Sequence, residues 1–488
     1  MRNRTPTSLH CVRGSVPPRW THTIKPLLTL LLCCTTLLAA EPAKAPVGLW
    51  LGVLKVGPIH LRMGLKVESP KADEYKATLI SIDQGRVEIP FDSAEFKDGK
   101  LTMRHKAGAI TFTAAMNDKG TALTGDFKQG DVTFPLPMDS IKELPTDKRP
   151  QTPKAPFPYD SDDVTFENAG AKIKLAGTLT KPKGDGPFPV VVMISGSGPQ
   201  DRDETLFNHK PFLLIADHLA RNGIACLRYD DRGVAKSGGK FADSTSADFA
   251  TDAYAAVQYL KTRKEIDPKK IGLCGHSEGG VIAPMVASEH PDDIGFIVML
   301  AGPGVPGSTI IFEQIRDFTE GKDAKKNEKE AREFVDAILP ILNGKGDRKE
   351  ITTQLKAKIQ ELIDKETDEK ERKTANAALP AMVERISDPW LRWFVTHDPA
   401  TALAKVECPI LALNGDKDVQ VKTQQNFEAI ESALTKAGHK TYKLVNYKNL
   451  NHLFQNCKTG ALSEYGQIEE TMAKEVLDEL TTWLKALK

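Results

Sequence analysis

Charge of one sign is missing from this chain: 66 basic residues face 65 acidic ones in 488, a formal net charge of +1. No field of the kind that grips a nucleic-acid backbone follows from that balance, and no basic stripe stands in for it, so a nucleic-acid role is not expected. Cysteine is scarce as well. Only Cys226, Cys274, Cys408 and Cys457 lie beyond residue 40, far apart and without a C-x-x-C pair. They fit neither a zinc site nor a dense disulfide framework, and buried free thiols are the plain reading. Apolar runs long enough to cross a bilayer, about 20 residues, are absent too. What is left is the composition of an ordinary globular protein with room for two or three domains.

The N-terminus is the exception. Arg2, Arg4, Arg13, Arg19 and Lys25 precede an apolar run from Pro26 to Ala40, and the first acid is Glu41. A basic stretch, a short apolar segment and a small-residue end describe a secretory signal peptide over residues 1–40. A single membrane anchor is the alternative. Removal of the leader takes five basic residues and no acids, leaving 61 basic against 65 acidic residues. A periplasmic or secreted protein without stable membrane insertion is therefore expected.

Residues 45–140 alternate apolar and polar side chains in short runs, as in His60–Val67 and Lys76–Ile82, with turn residues between them. That period of two predicts a small antiparallel β-barrel or sandwich. Its opening, Gly48-x-Trp50-x-Gly52, resembles the first strand of lipocalin-type barrels, which hold apolar ligands; a tryptophan plugging the barrel is the plainer role. Five prolines between residues 141 and 160 predict a semi-rigid linker.

Beyond residue 161 the apolar runs become continuous, as in Pro189–Ile194, Phe296–Leu300 and Pro409–Leu413. Strands covered on both faces read this way. Helical patterns fall between them, so an α/β fold with a mostly parallel sheet is expected. The charge-rich helical stretch at about 304–405 reads as a cap over the sheet's C-terminal edge, or else as a solvated ornament.

Gly275-His276-Ser277-Glu278-Gly279 follows one predicted strand and opens a helix. A serine on such a turn is pushed above the sheet, with helix N-terminal amides behind it. Serine at neutral pH needs a base, and the base an orienting acid. The loops at two later strand ends offer Asp416 or Asp418, and then His452. The order Ser, Asp, His is that of the α/β-hydrolases.

From about Asp162 onward the chain resembles an α/β-hydrolase superfamily serine hydrolase, and is most similar to secreted bacterial esterases with a small N-terminal β-domain and a helical cap. The resemblance implies Ser277 as nucleophile, Asp418 as acid with Asp416 as runner-up, His452 as base, and no metal or cofactor. It also implies an oxyanion hole made of the Glu278 amide and a donor from Ser195-Gly196-Ser197-Gly198. Ser197 comes first and Gly198 second, although the histidine common there in relatives is absent. Such a donor is worth about 3–4 kcal/mol of transition-state stabilisation. Trp390, Trp393 and Phe394 in the cap are expected either as a wall for the acyl or alcohol group or as packing between cap and sheet.

The activity expected is hydrolysis of a small-molecule carboxylic ester through an acyl-enzyme. An acyl-thioesterase or serine aminopeptidase on the same fold stays open. A non-catalytic ligand-binding protein is the rival from another class. Gly302-Pro-Gly304-Val-Pro-Gly307 matches a dinucleotide fingerprint in letters only, because two prolines stand where the helix should begin.

Overall fold

The computed structural model describes residues 45–487 apart from 131, 147 and 319–323. The expected leader, residues 1–40, lies outside the described residues. Two compact units divide between residues 147 and 148.

The first unit is all β: β1 (Gly48–Val56), β2 (Ile59–Lys71), β3 (Glu74–Ser81), β4 (Val87–Pro90), β5 (Ser93–Lys97), β6 (Lys100–His105), β7 (Ile110–Met116), β8 (Ala122–Gln129), β9 (Val132–Pro135) and β10 (Met138–Ile141). Eight of these strands close a ring, because β10 pairs antiparallel with both β1 and β8; β4 and β9 flank it on β3 and β8. The alternation seen in the sequence becomes an inside and an outside. Along β2, Ile59, Leu61, Met63, Leu65 and Val67 are all buried. An eight-stranded ring is just wide enough for side chains to fill it. Trp50, Leu79, Met103 and Phe112 are among those that are buried. The Trp50 indole, 2% exposed, donates to the Pro46 carbonyl at 2.8 Å, so its one polar atom is satisfied.

The second unit carries β11 (Asp160–Asn168), β12 (Ile173–Lys181), β13 (Phe188–Ile194), α1 (Pro211–Arg221), β14 (Ala225–Tyr229), α2 (Ser246–Lys261), β15 (Ile266–His276), α3 (Gly279–Glu289) and β16 (Phe296–Leu300). Then come the helices α4 (Gly307–Phe318), α5 (Ala324–Leu342), α6 (Arg348–Asp364), α7 (Glu369–Ile386), α8 (Pro389–Thr396) and α9 (Ala400–Leu403). The unit ends with β17 (Ile410–Gly415), α10 (Thr423–Lys436), β18 (Tyr442–Tyr447) and α11 (Lys474–Ala486). The sheet order is β11-β12-β14-β13-β15-β16-β17-β18, parallel from β14 to β18. Alternate residues of β13 serve opposite faces. Val190, Val192 and Ile194 pack with α2, α3 and α10, while Val191 and Met193 pack with α1 and α11. That is why the strand reads as an unbroken apolar run.

The stretch expected to be a spacer is partly fastened. Ile141 completes β10, and from residue 148 the chain belongs to the second unit. There the Arg149 guanidinium donates to the carbonyls of Phe207, Gly466 and Ile468, and Gln151 bonds to Met472 and Thr471. Prolines restrict the backbone, but two polar side chains that satisfy otherwise orphaned carbonyls and amides anchor it.

The insertion between β16 and β17 leaves from the C-terminal end of the sheet and builds its own small core from Leu342, Ile351, Leu355, Ile359, Leu379 and Val383. Asp347 and Glu350 form a capping box that starts α6. Among the described residues no helix is long and apolar enough to cross a membrane.

Candidate active site

Ser277 sits on the turn between β15 and α3 with φ +52, a left-handed conformation that costs a non-glycine residue roughly 1–3 kcal/mol. The surroundings enforce it. Its N–H donates to Leu300 O at 2.8 Å, and its carbonyl accepts from Gly280 N at 2.9 Å. The turn is tight enough to need glycines on both sides. A Cβ on Gly275 would meet Gly279 O at 1.9 Å, and one on Gly279 would meet Ile194 O at 2.2 Å. The G-x-S-x-G letters are thus a steric requirement of this fold.

Asp418 and His452 come from the loops after β17 and β18. His452 Nδ1 lies 2.7 Å from Asp418 Oδ2, and both side chains are buried. The other carboxylate oxygen of Asp418 accepts the N–H groups of Gln420 and Val421 at 2.8 and 2.9 Å, which fixes its plane. Asp416 points elsewhere: it accepts Asn449 N–H at 2.7 Å. Of the two acids left open by the sequence, Asp418 is the one at the histidine.

The loop after β13 runs beside Ser277; a Cβ on Gly196 would lie 3.3 Å from the serine Cβ. The Gly196 N–H is occupied, donating to Glu204 Oε1 at 2.7 Å. The N–H groups of Ser197, Gly198 and Glu278 have no acceptor among the described residues. Glu278 is buried at the N-terminus of α3. Its carboxylate accepts Ser246 Oγ at 2.6 Å and the Trp390 indole N–H at 2.8 Å. Burial pushes its carboxyl up to about 7, against the lowering effect of those two donors.

Of the cap aromatics, Trp390 therefore reaches the turn itself. It stacks on Phe394 at 5.3 Å, and Phe394 packs with Ile310 and Val421. Trp393 stacks on His397 at 4.3 Å.

Two groups at the site were not singled out by the sequence reading. His276 Nδ1 lies 2.9 Å from Glu204 Oε1, and its Nε2 lies 3.1 Å from the His452 carbonyl oxygen. Nothing local marks Glu204, whose histidine partner is 72 residues away in the chain. Below them the Tyr229–Gly233 turn ties loops together. Asp230 takes a two-pronged grip from Arg202, Asp231 accepts Gln200 N–H, and Arg232 pairs with Asp252.

Serine on a strained strand-to-helix turn, with a buried His–Asp pair on neighbouring strand ends, fits nucleophilic hydrolysis. The sequence pattern of the serine aminopeptidase, S33 family matches residues 210–456, 247 of the 488. The chain belongs to that family. It is a hydrolase of the α/β-hydrolase fold, and the family segment contains Ser277, Asp418 and His452. A relative is Esterase EstD of Thermotoga maritima, 27% identical over 80% of each chain. Another is Thiohydrolase apmlB of Arthrinium phaeospermum, 32% identical over 27% of this chain and 40% of that one. Among solved structures, Est1E from Butyrivibrio proteoclasticus with ferulic acid bound is 21% identical, with a TM-score of 0.38 over 66% of this chain and 96% of that one.

Proposed function

We propose that this S33-family hydrolase is a carboxylesterase acting on small-molecule esters through a Ser277–His452–Asp418 triad. The observation that carries the reading is the buried His452–Asp418 contact at 2.7 Å beside the strained Ser277 turn. Asp418 holds Nδ1 and leaves Nε2 as the free base. His452 takes the proton from Ser277 Oγ as it attacks the ester carbonyl. The amides of Glu278 and Ser197, with Gly198 as the next candidate, receive the oxyanion. The protonated His452 then gives its proton to the leaving alcohol. Water, deprotonated by the same histidine, cleaves the acyl-serine and restores the free enzyme. Trp390, held by Glu278, forms a wall beside the turn. A signal peptide over residues 1–40 would place this activity in the periplasm or outside the cell.

The name of the Thermotoga relative supports an ester over a peptide. So does the bonding of the nearby acids. An aminopeptidase needs a carboxylate free to hold the substrate ammonium. Glu278 is engaged by Ser246 and Trp390, and Glu204 by Gly196 and His276. The test is kcat/KM on a p-nitrophenyl ester series against amino-acid arylamides. We expect esters to be preferred by at least about 100-fold, the scale by which unmatched polar groups discriminate substrates. Faster arylamide cleavage would overturn the ester reading.

A further inference from the structure

A second histidine–carboxylate pair lies beside the first, and the reaction just described makes no use of it. Glu204 is buried, with φ +51, in the loop after β13. One of its oxygens, Oε1, meets both the Gly196 N–H and His276 Nδ1. His276 is buried between that carboxylate and the His452 carbonyl oxygen. The carbonyl can only accept, so Nε2 carries a hydrogen. Nδ1 faces a carboxylate that already accepts an amide, and it donates there. Both ring nitrogens bearing hydrogen make His276 an imidazolium paired with Glu204.

We propose that Glu204 is a positioning residue: acting through His276, it locks the oxyanion loop at Gly196 to the loop that carries His452, and keeps a fixed positive charge next to the catalytic base. The proposal rests on the serine-hydrolase reading above. One carboxylate thus spans both halves of the machinery, the amides that receive negative charge and the base that moves the proton. Supporting groups of this kind set the geometry on which preorganised sites depend, and a displacement of about 1 Å can cost 10²-fold in rate. Burial disfavours the charge on His276, but the Glu204 charge and hydrogen bond, with the His452 carbonyl, outweigh it and raise its range. The charged or titratable groups around it are Glu204 from the loop after β13, His452 from the loop after β18 and Asp418 from the loop after β17. The rings of His276 and His452 are 4.8 Å apart, so charge on the first is felt at the second.

The experiment is the pH dependence of fluorophosphonate labelling of the full chain, with kcat and KM on an aryl ester, for wild type, Glu204→Gln, His276→Gln and the double variant. Glu204→Gln removes the anion, so the ring keeps one hydrogen and one of three contacts must go: that of Nδ1 to residue 204, that of Nε2 to the His452 carbonyl, or that of residue 204 to the Gly196 N–H. We expect each single variant to label and turn over roughly 10²-fold more slowly, with KM within about 3-fold. The acid limb should move to higher pH in both. The double variant should be no slower than the worse single one, because the two residues act as a unit. If Glu204→Gln does not fold, His276→Gln carries the same expectations and leaves the carboxylate on Gly196. Unchanged labelling rates and pH limbs, with only thermal stability lowered, would overturn the proposal, as would losses that multiply in the double variant. Wild type that fails to label would remove the serine-hydrolase reading, and this proposal with it.

Discussion

The two units of this protein use β-strands to opposite ends. In the first, β10 closes eight strands into a ring that β4 and β9 flank, and the ring's strands send one face of side chains inward to fill the interior. In the second, helices cover both faces of the sheet, and its C-terminal edge stays open to loops. The strained serine, the buried His–Asp pair and the amides without acceptors among the described residues all lie at that edge. Closure gives a body filled by its own side chains. An open edge between covered faces gives strand ends whose side chains can converge, which is where ligands bind in such folds.

Substitutions can break this contrast. The largest effect is expected from Asp418→Asn, which leaves the shape but offers His452 the wrong partner. Turnover should fall by about 10⁴-fold with thermal stability little changed, as steady-state kinetics and calorimetry on one preparation would show. Trp50→Ala should do the reverse. Removing a buried indole costs about 3–5 kcal/mol of stability, so the transition of the first unit should move down while ester turnover at 25 °C holds. A parallel loss of kcat would mean the site is not confined to the second unit.

A subtler test lies in Glu278. Its carboxyl ionises near 4.5 when unfolded but only at about 7 in the fold. The sign follows from linkage. Below pH 4.5 both states are protonated and the residue is neutral to stability. As pH rises toward 7 the unfolded chain ionises first, so stability is lost across that window and stays lost above it, by roughly 3 kcal/mol. Glu278→Gln, which cannot ionise, should gain on wild type between pH 4.5 and 7 in unfolding experiments. A difference that does not vary with pH would show that burial does not perturb this carboxyl.

The sequence was most legible where a residue's role is set by its neighbours. Gly275 is demanded by the backbone of Gly279 four residues on, so that part of the motif could be recognised locally, whereas Gly279 is demanded by Ile194 on a neighbouring strand. Asp418 and His452 needed one step more, the recognition that Pro409–Leu413 and Tyr442–Tyr447 are strands whose ends share an edge. Helix α11 begins only at Lys474, because residues 458–464 form turns around the Glu464 carboxylate and Met472 and Ala473 are drawn into the core. Glu204 was invisible. Its partners are Gly196 and His276, and nothing in the order of residues announces that a loop will fold back between them. The alternation predicted a barrel or a sandwich and did not decide between them; the ring's closure rests on the short β10 reaching β1 and β8 together.

The central claim is that Ser277 is an activated nucleophile at the open edge of the sheet. The most direct measurement is fluorophosphonate labelling of the purified protein, wild type beside Ser277→Ala, with peptide mapping of the adduct. The account predicts one labelled residue, Ser277, in wild type and none in the variant, with both equally folded. Labelling that survives in Ser277→Ala, or a folded wild type that does not react, would contradict it.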